Sequence, residues 1–326
     1  MFLKLSTNFG QKPSFSLDVF DVPVKKYLIN EVRQLGHDPD EIDPVLDKAI
    51  ERAKELLLQS REKLPLSPIR IRSRIENRAY EYVYGVLAQS KKWKDAKTRI
   101  RNWSSIFLVG AGLSFESDMP LSDTLEDLIK FCRAKDYNEL RKDKDKCLKF
   151  KLEFKKICEK KSPGFSHKLI VKNFPKYILE IICLNWDNLI ERAAEEMNKS
   201  IPKINEDKPV TGKRYLWKFH GDVENIKENN IKGEGGWVFP DEEGYVFNNF
   251  IQYIKEKGLK DTLFTFVIVG YSEKEKEIYN KIIRQFEEKP KRPTFRVGLD
   301  LKRLHENRYI VGPSDFILKK ILPLKL

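Results

Sequence analysis

The chain has 326 residues, 40% of them hydrophobic and 34% charged, which excludes a disordered protein and suffices for one substantial core and a second region. No run approaches the roughly 18 consecutive apolar residues of a membrane span, and polar residues and Pro13 interrupt the start, MFLKLSTNFGQKPSFSLDVF. Neither membrane attachment nor a signal peptide is expected, and the cytoplasm is the expected compartment. The net charge of +13 could attract nucleic acid or polyphosphate, but its commoner origin is a solvated surface rich in Lys and Glu together.

Residues 1–100 read as a mostly helical region without obvious chemistry. Ile42, Val45, Leu46, Ala49, Ala53, Leu56 and Leu57 recur near a helical period and predict a helix over 42–63, with Asp43-Pro44 as its start. Ile75, Ala79, Tyr82, Val83 and Val86 predict a second over 73–89, the Pro65 and Pro68 pair marking the loop between them. Then comes Ile106-Phe107-Leu108-Val109, short and β-rich enough for a buried strand, broken by Gly110-Ala111-Gly112. Two glycines around an alanine permit tight turning and close approach of a ligand, and free N–H groups at a following helix start favour a phosphate. The dinucleotide fingerprint of dehydrogenases asks for a third glycine where this chain has Phe115, so that reading fails. A plain strand-to-helix turn is the bland alternative.

A helix is predicted over 121–130, and a long basic helical stretch over 137–161. Between Arg141 and Lys161 the stretch has ten Lys or Arg against four acids, with Cys147, Phe150, Phe154, Ile157 and Cys158 at helical spacing. A basic face for nucleic acid or a partner is one reading; an amphipathic insertion with a solvated outer face is the commoner one. Cys132, Cys147, Cys158 and Cys183 form no CxxC pair and read as small buried hydrophobes, so no metal site is expected. Three further strand candidates end in polar or glycine residues: 179–184 in Asn185-Trp186-Asp187-Asn188, 215–219 in His220-Gly221-Asp222, and 263–269 in Gly270-Tyr271-Ser272. Helices are predicted over 189–197, 245–257, 274–286 and 314–322, and a strand over 294–299. Strands alternating with helices predict an α/β fold, a Rossmann-like parallel sheet flanked by helices, whose ligands bind beyond the carboxyl ends of the strands.

The order of these motifs resembles the sirtuin family, and more closely its divergent branch in prokaryotic defence. GAGLSFESDMP, residues 110–120, resembles the family's phosphate-binding loop; LNWDN, 184–188, its T-Q-N-I-D element; KFHGD, 218–222, its L-H-G element; and VGYS, 269–272, its adenosine-binding loop. The resemblance covers residues 101–326, with a helical insertion at about 137–175, and leaves 1–100 as an N-terminal helical region. It implies Asn185 and His220 as catalytic residues, and Gly110, Ala111, Gly112, Ser114, Pro120, Asp187, Gly270, Tyr271 and Ser272 as the residues that bind NAD, the substrate.

Two departures bear on the activity. The sequence has no paired cysteines for the zinc ribbon of deacylase sirtuins, and Pro120 is followed by Leu121-Ser122 where the family has Phe-Arg. The resemblance therefore implies a metal-independent NAD+ hydrolase that releases nicotinamide and ADP-ribose in antiviral defence. A protein deacylase or ADP-ribosyltransferase is the alternative, and an NAD or ADP-ribose sensor or nucleic-acid-associated binding module the next. Gating by homo-oligomerisation or by a defence partner, a helicase-like ATPase or an Argonaute-like protein, follows from the same resemblance; nucleic acid is not required.

Overall fold

The computed structural model describes residues 17–59, 68–117, 119, 122–204, 209–210, 213–221, 223–225, 245–256, 263–271, 278–284 and 293–323. The chain divides into two compact units, Met1–Leu87 and Ala88–Leu326.

The first unit contains α1 (Asp21–Gln34), α2 (Asp43–Gln59) and α3 (Pro68–Leu87). Val24, Leu28 and Val32 of α1 are buried; so are Val45, Leu46, Ala49, Ala53 and Leu57 of α2 and Ile75, Ala79, Val83 and Val86 of α3, as the periodicity predicts, while Leu56 is only half-buried. Pro68 opens α3 instead of lying in the preceding loop, because the first helical position needs no N–H; Pro65 lies outside the described residues. Lys54 of α2 donates to Asp18 and Asp21, both at 2.8 Å.

The second unit is built on a sheet of the seven described strands, all parallel: β1 (Ser105–Val109), β2 (Ile178–Cys183), β3 (Lys203–Ile204), β4 (Leu216–Lys218), β5 (Thr265–Val269), β6 (Thr294–Gly298) and β7 (Tyr309–Val311). Their order is β3-β4-β2-β1-β5-β6-β7, so the chain builds outward from β1 on one side and then crosses to β5 on the other. Every residue of β1 and β5 is buried, which explains the apolar runs 106–109 and 266–269 that follow Ser105 and Thr265. Ile106, Leu108, Ile182, Trp217, Phe266 and Ile268 form one face's core with Phe247, Phe250 and Tyr253 of α10 (Tyr245–Glu256). Glu180 of β2 is buried there, accepting from Tyr253 Oη at 2.6 Å, Trp217 Nε1 at 2.9 Å and the Tyr215 N–H at 3.0 Å.

Several elements differ from expectation. α4 (Ser90–Trp103) is a helix that the polar sequence concealed; only Trp93, Ala96 and Ile100 turn inward. The Gln89 side chain just ahead of it pairs both amide groups with the backbone of Val311, covering part of the β7 edge. The basic stretch is two helices, α6 (Tyr137–Lys142) and α7 (Lys144–Glu159), after α5 (Ser122–Phe131). Asp143 breaks it by adopting an extended conformation and capping α7, its Oδ1 accepting the N–H groups of Asp145 and Lys146. α8 (Phe165–Asn173) follows, then α9 (Leu189–Glu196) and α11 (Ser314–Ile321). Of the helix predicted over 274–286, the described part contains a π-helical turn, Tyr279–Ile283, and the rest lies outside the described residues.

Candidate functional site

The strand order reverses at β1, so the crevice beyond the carboxyl ends of β1 and β5 is the place where an open parallel sheet binds ligands. Gly110 and Gly112 leave β1, and Gly270 leaves β5 with φ of +65°. The Gly112 N–H donates to the Gly270 carbonyl at 3.0 Å. A Cβ on Gly112 would stand 2.7 Å from the Gly270 Cα, and one on Gly270 2.4 Å from the Leu113 nitrogen. These glycines therefore let two backbones touch. Ala111–Ser117 forms a 3₁₀ turn in place of an immediate helix start.

Ser114, in that turn, is the hub of a buried network. Its Oγ donates to Asp187 Oδ2 at 2.9 Å and accepts from Asn185 Nδ2 at 3.0 Å. Asn185 Nδ2 also reaches the Gly110 carbonyl at 3.2 Å, tying the end of β2 to the end of β1. Asp187 Oδ1 accepts the Leu189 N–H at 3.1 Å, at the start of α9. The fourth member is His167 on α8, with Nε2 3.2 Å from Ser114 Oγ. Gly164 N–H donates to His167 Nδ1 at 3.1 Å, so the neutral ring carries its proton on Nε2 and donates it to Ser114. Burial, reinforced by the Lys218 ammonium and opposed by the Asp187 carboxylate, pushes the His167 pKa down to about 4. A ring protonated at Nε2 cannot take the serine proton, so His167 does not activate Ser114 as a nucleophile.

His220 follows β4, and Gly221, at φ of +72°, turns the chain away behind it. Its Nδ1 lies 2.9 Å from the Leu184 carbonyl, which can only accept. The proton is therefore on Nδ1, and the neutral ring keeps its lone pair on Nε2, the form a general base needs. The same segment binds the β2 loop twice more: Val223 N–H donates to the Trp186 carbonyl at 2.9 Å, and Lys218 Nζ donates to that of Asp187.

Trp186 points the other way. It meets Phe154 at 5.7 Å, Phe150 at 6.1 Å and Tyr137 at 6.2 Å between ring centroids, joining the loop to the helices of the insertion. Cys132, Cys147, Cys158 and Cys183 are buried free thiols. Burial pushes the Cys183 thiol up to about 12.

The structure thus brings Gly110, Gly112, Ser114, Asn185, Asp187 and Gly270 into one bonded constellation, with His220 on the adjoining strand end. Ala111 is exposed at the loop's start, and Tyr271 packs half-buried against the core. Pro120 and Ser272 lie outside the described residues. His167 was not anticipated; the signal that could have found it is the helix-start position three residues beyond Gly164. Among the described residues no group of three or more His, Cys, Asp or Glu could hold a metal ion, and no helix is long and apolar enough to cross a membrane.

The fold and this rim define an α/β protein with a glycine-lined crevice at the point where the strand order reverses. No protein-family model and no curated protein matches the sequence. Among solved structures, a mutant Sir2 homologue complexed with ADP ribose is similar at 16% identity, over 70% of this chain and 95% of that one, with a TM-score of 0.48. A Sir2 homologue in complex with NAD is similar at 16% identity, over 70% and 91% of the two chains, with a TM-score of 0.48. A Sir2 protein bound to a myristoylated histone peptide is similar at 15% identity, over 71% and 94%, with a TM-score of 0.43.

Proposed function

We propose that the protein hydrolyses the bond between nicotinamide and ribose in NAD+, releasing nicotinamide and ADP-ribose. The observation that carries this reading is the buried network of Asn185, Ser114, Asp187 and His167 beside the glycine crevice, with His220 on the next strand end. In NAD+ the nicotinamide ring is cationic and departs as a neutral amide. Its bonding electrons leave with it, the positive charge passes to the ribose, and no acid is required. The resulting oxocarbenium-like centre is favoured by a nearby carboxylate, the role given to Asp187. Water then adds to the anomeric carbon, and His220 Nε2 takes the proton the water loses. Asn185, held by its amide on Gly110 and Ser114, orients ribose or water; Gly110, Gly112 and Gly270 hold the two loops together, and the pyrophosphate and adenosine half would lie on that joined loop, with Ala111 exposed at its start.

By the sirtuin resemblance of residues 101–326 the activity serves antiviral defence, gated by self-assembly or a partner; the N-terminal helices would be a cap, a dimerisation surface or a regulatory module, and the cytoplasm is the proposed compartment. The test is nicotinamide release by the purified full chain beside His220→Ala and Asn185→Ala, with acylated peptides as rival substrates. Release is expected to fall at least about 100-fold in both variants while the fold is kept. Unchanged release would refute the assignment, and turnover that requires the peptide would favour a deacylase.

A further inference from the structure

Lys218 is a lysine inside an apolar strand, two residues before His220 and wholly shielded from solvent. It shares a sheet face with its register partner Cys183, whose Sγ is 3.7 Å from its Nζ. Its ammonium donates to the main-chain carbonyl of Asp187 and lies 3.6 Å from Glu191 Oε1 on α9. Glu191 is also 3.8 Å from Lys203. Burying such an ion pair is costly, and an apolar side chain of similar volume would usually fill the space as well. What an apolar side chain cannot do is hold a carbonyl.

We infer that Lys218 is a positioning residue: from beneath the site it fixes the Asn185–Asp187 turn through the Asp187 carbonyl, so that the Asn185 amide and Asp187 carboxylate keep their places above it. The inference rests on the function proposed above. His220 and Val223 bind the carbonyls of Leu184 and Trp186, so β4 and the turn after it hold three of the four residues of 184–187 by their main chain. Of these three contacts, only that of Lys218 brings a full charge next to the network. A small displacement of reacting groups is enough to slow catalysis.

The experiment compares the full-length wild type with Lys218→Met, Lys218→Arg and the charge-balanced Lys218→Met/Glu191→Gln, which keeps a folded form in hand if the single Met variant unfolds. The balanced variant is expected to bind NAD within about threefold of wild type by calorimetry and to release nicotinamide at least about tenfold more slowly, the loss falling on kcat and not on KM. Lys218→Arg, which can still donate to the carbonyl, is expected to recover part of that rate. A folded variant without the ammonium that keeps wild-type kcat would overturn the inference, as would a loss confined to KM.

A second readout needs no turnover. The His167 ring, which faces Asp187 and Lys218, is titrated by NMR in the same variants, and its transition is expected to rise from about 4 when the ammonium is removed. An unmoved transition would show that Lys218 does not act on the network. If wild type neither binds nor cleaves NAD, the functional reading fails, while an unmoved His167 transition would separately overturn the reach of Lys218 into the network.

Discussion

The carbonyl of Gly270 accepts the N–H of Gly112 at 3.0 Å, so the loops that end β1 and β5 meet backbone to backbone at the centre of the sheet. A side chain on either glycine has no room. Gly270→Ala would add a left-handed residue and place its Cβ 2.4 Å from the Leu113 nitrogen, so a stability loss of about 3 kcal/mol or more is expected. Gly36→Ala is the control: its φ is +77°, but no atom lies within 4 Å of a Cβ there, and a cost of only about 1 kcal/mol is expected. Urea denaturation of both variants measures the difference, and equal losses would rule out the close-packing argument.

His167 gives stability a pH dependence. Its folded pKa, about 4, lies below the 6.5 of an unperturbed histidine, so between these values the unfolded chain binds the extra proton. The contribution is fully present above pH 6.5 and is lost as pH falls toward 4, on the order of 3 kcal/mol in all. His167→Gln keeps a side-chain N–H donor but does not titrate. Its stability should lie below that of wild type at neutral pH and approach it near pH 4; parallel stability curves would count against a neutral buried ring.

Trp186→Ala would empty the space between Phe150, Phe154 and Tyr137. A stability loss of about 3–5 kcal/mol is expected from the size of the side chain alone. On the proposed function, nicotinamide release should also fall, because the flanking Asn185 and Asp187 lose their anchor. Trp186→Phe should keep most of both; if Trp186→Ala folds and releases nicotinamide at the wild-type rate, the anchoring role is wrong.

Glu180 receives three donors in the core, and burial raises its pKa against their pull. Glu180→Gln would turn an N–H₂ group toward at least one of them, at a cost of about 1–3 kcal/mol. The site is distant along the strand, so on the proposed function NAD turnover by the folded fraction should stay near that of wild type. A drop in turnover without a drop in stability would place Glu180 in the catalytic apparatus instead.

The central strands β1 and β5 were legible because central parallel strands are apolar on both faces, as residues 106–109 and 266–269 are. The polar residues at their ends then stood out. β3 was not legible, since a strand of two residues leaves no pattern; β7, no shorter than β4, has no polar motif at its end like the His220-Gly221-Asp222 that marked β4. His167 escaped because it lies on a helix away from any strand end, and only the fold brings its ring to Ser114. Lys218 escaped because an apolar strand was scored by its majority. Its charge was the anomaly worth following, yet only the fold shows that Cys183 and the Asp187 carbonyl lie within its reach.

Asn185, Trp186 and Asp187 alternate in direction, two toward the crevice and the middle one into the helical layer. A ligand pocket and a packing interface are thereby written in three adjacent codons. Neither can drift alone: a change of residue size along Phe150 and Phe154 is felt by the pocket, and selection on the pocket constrains a helix that has no hand in the chemistry. The insertion and the rim are therefore one mechanical unit, and transplanting the rim without α7 into another parallel sheet would leave its central tryptophan with nothing to grip.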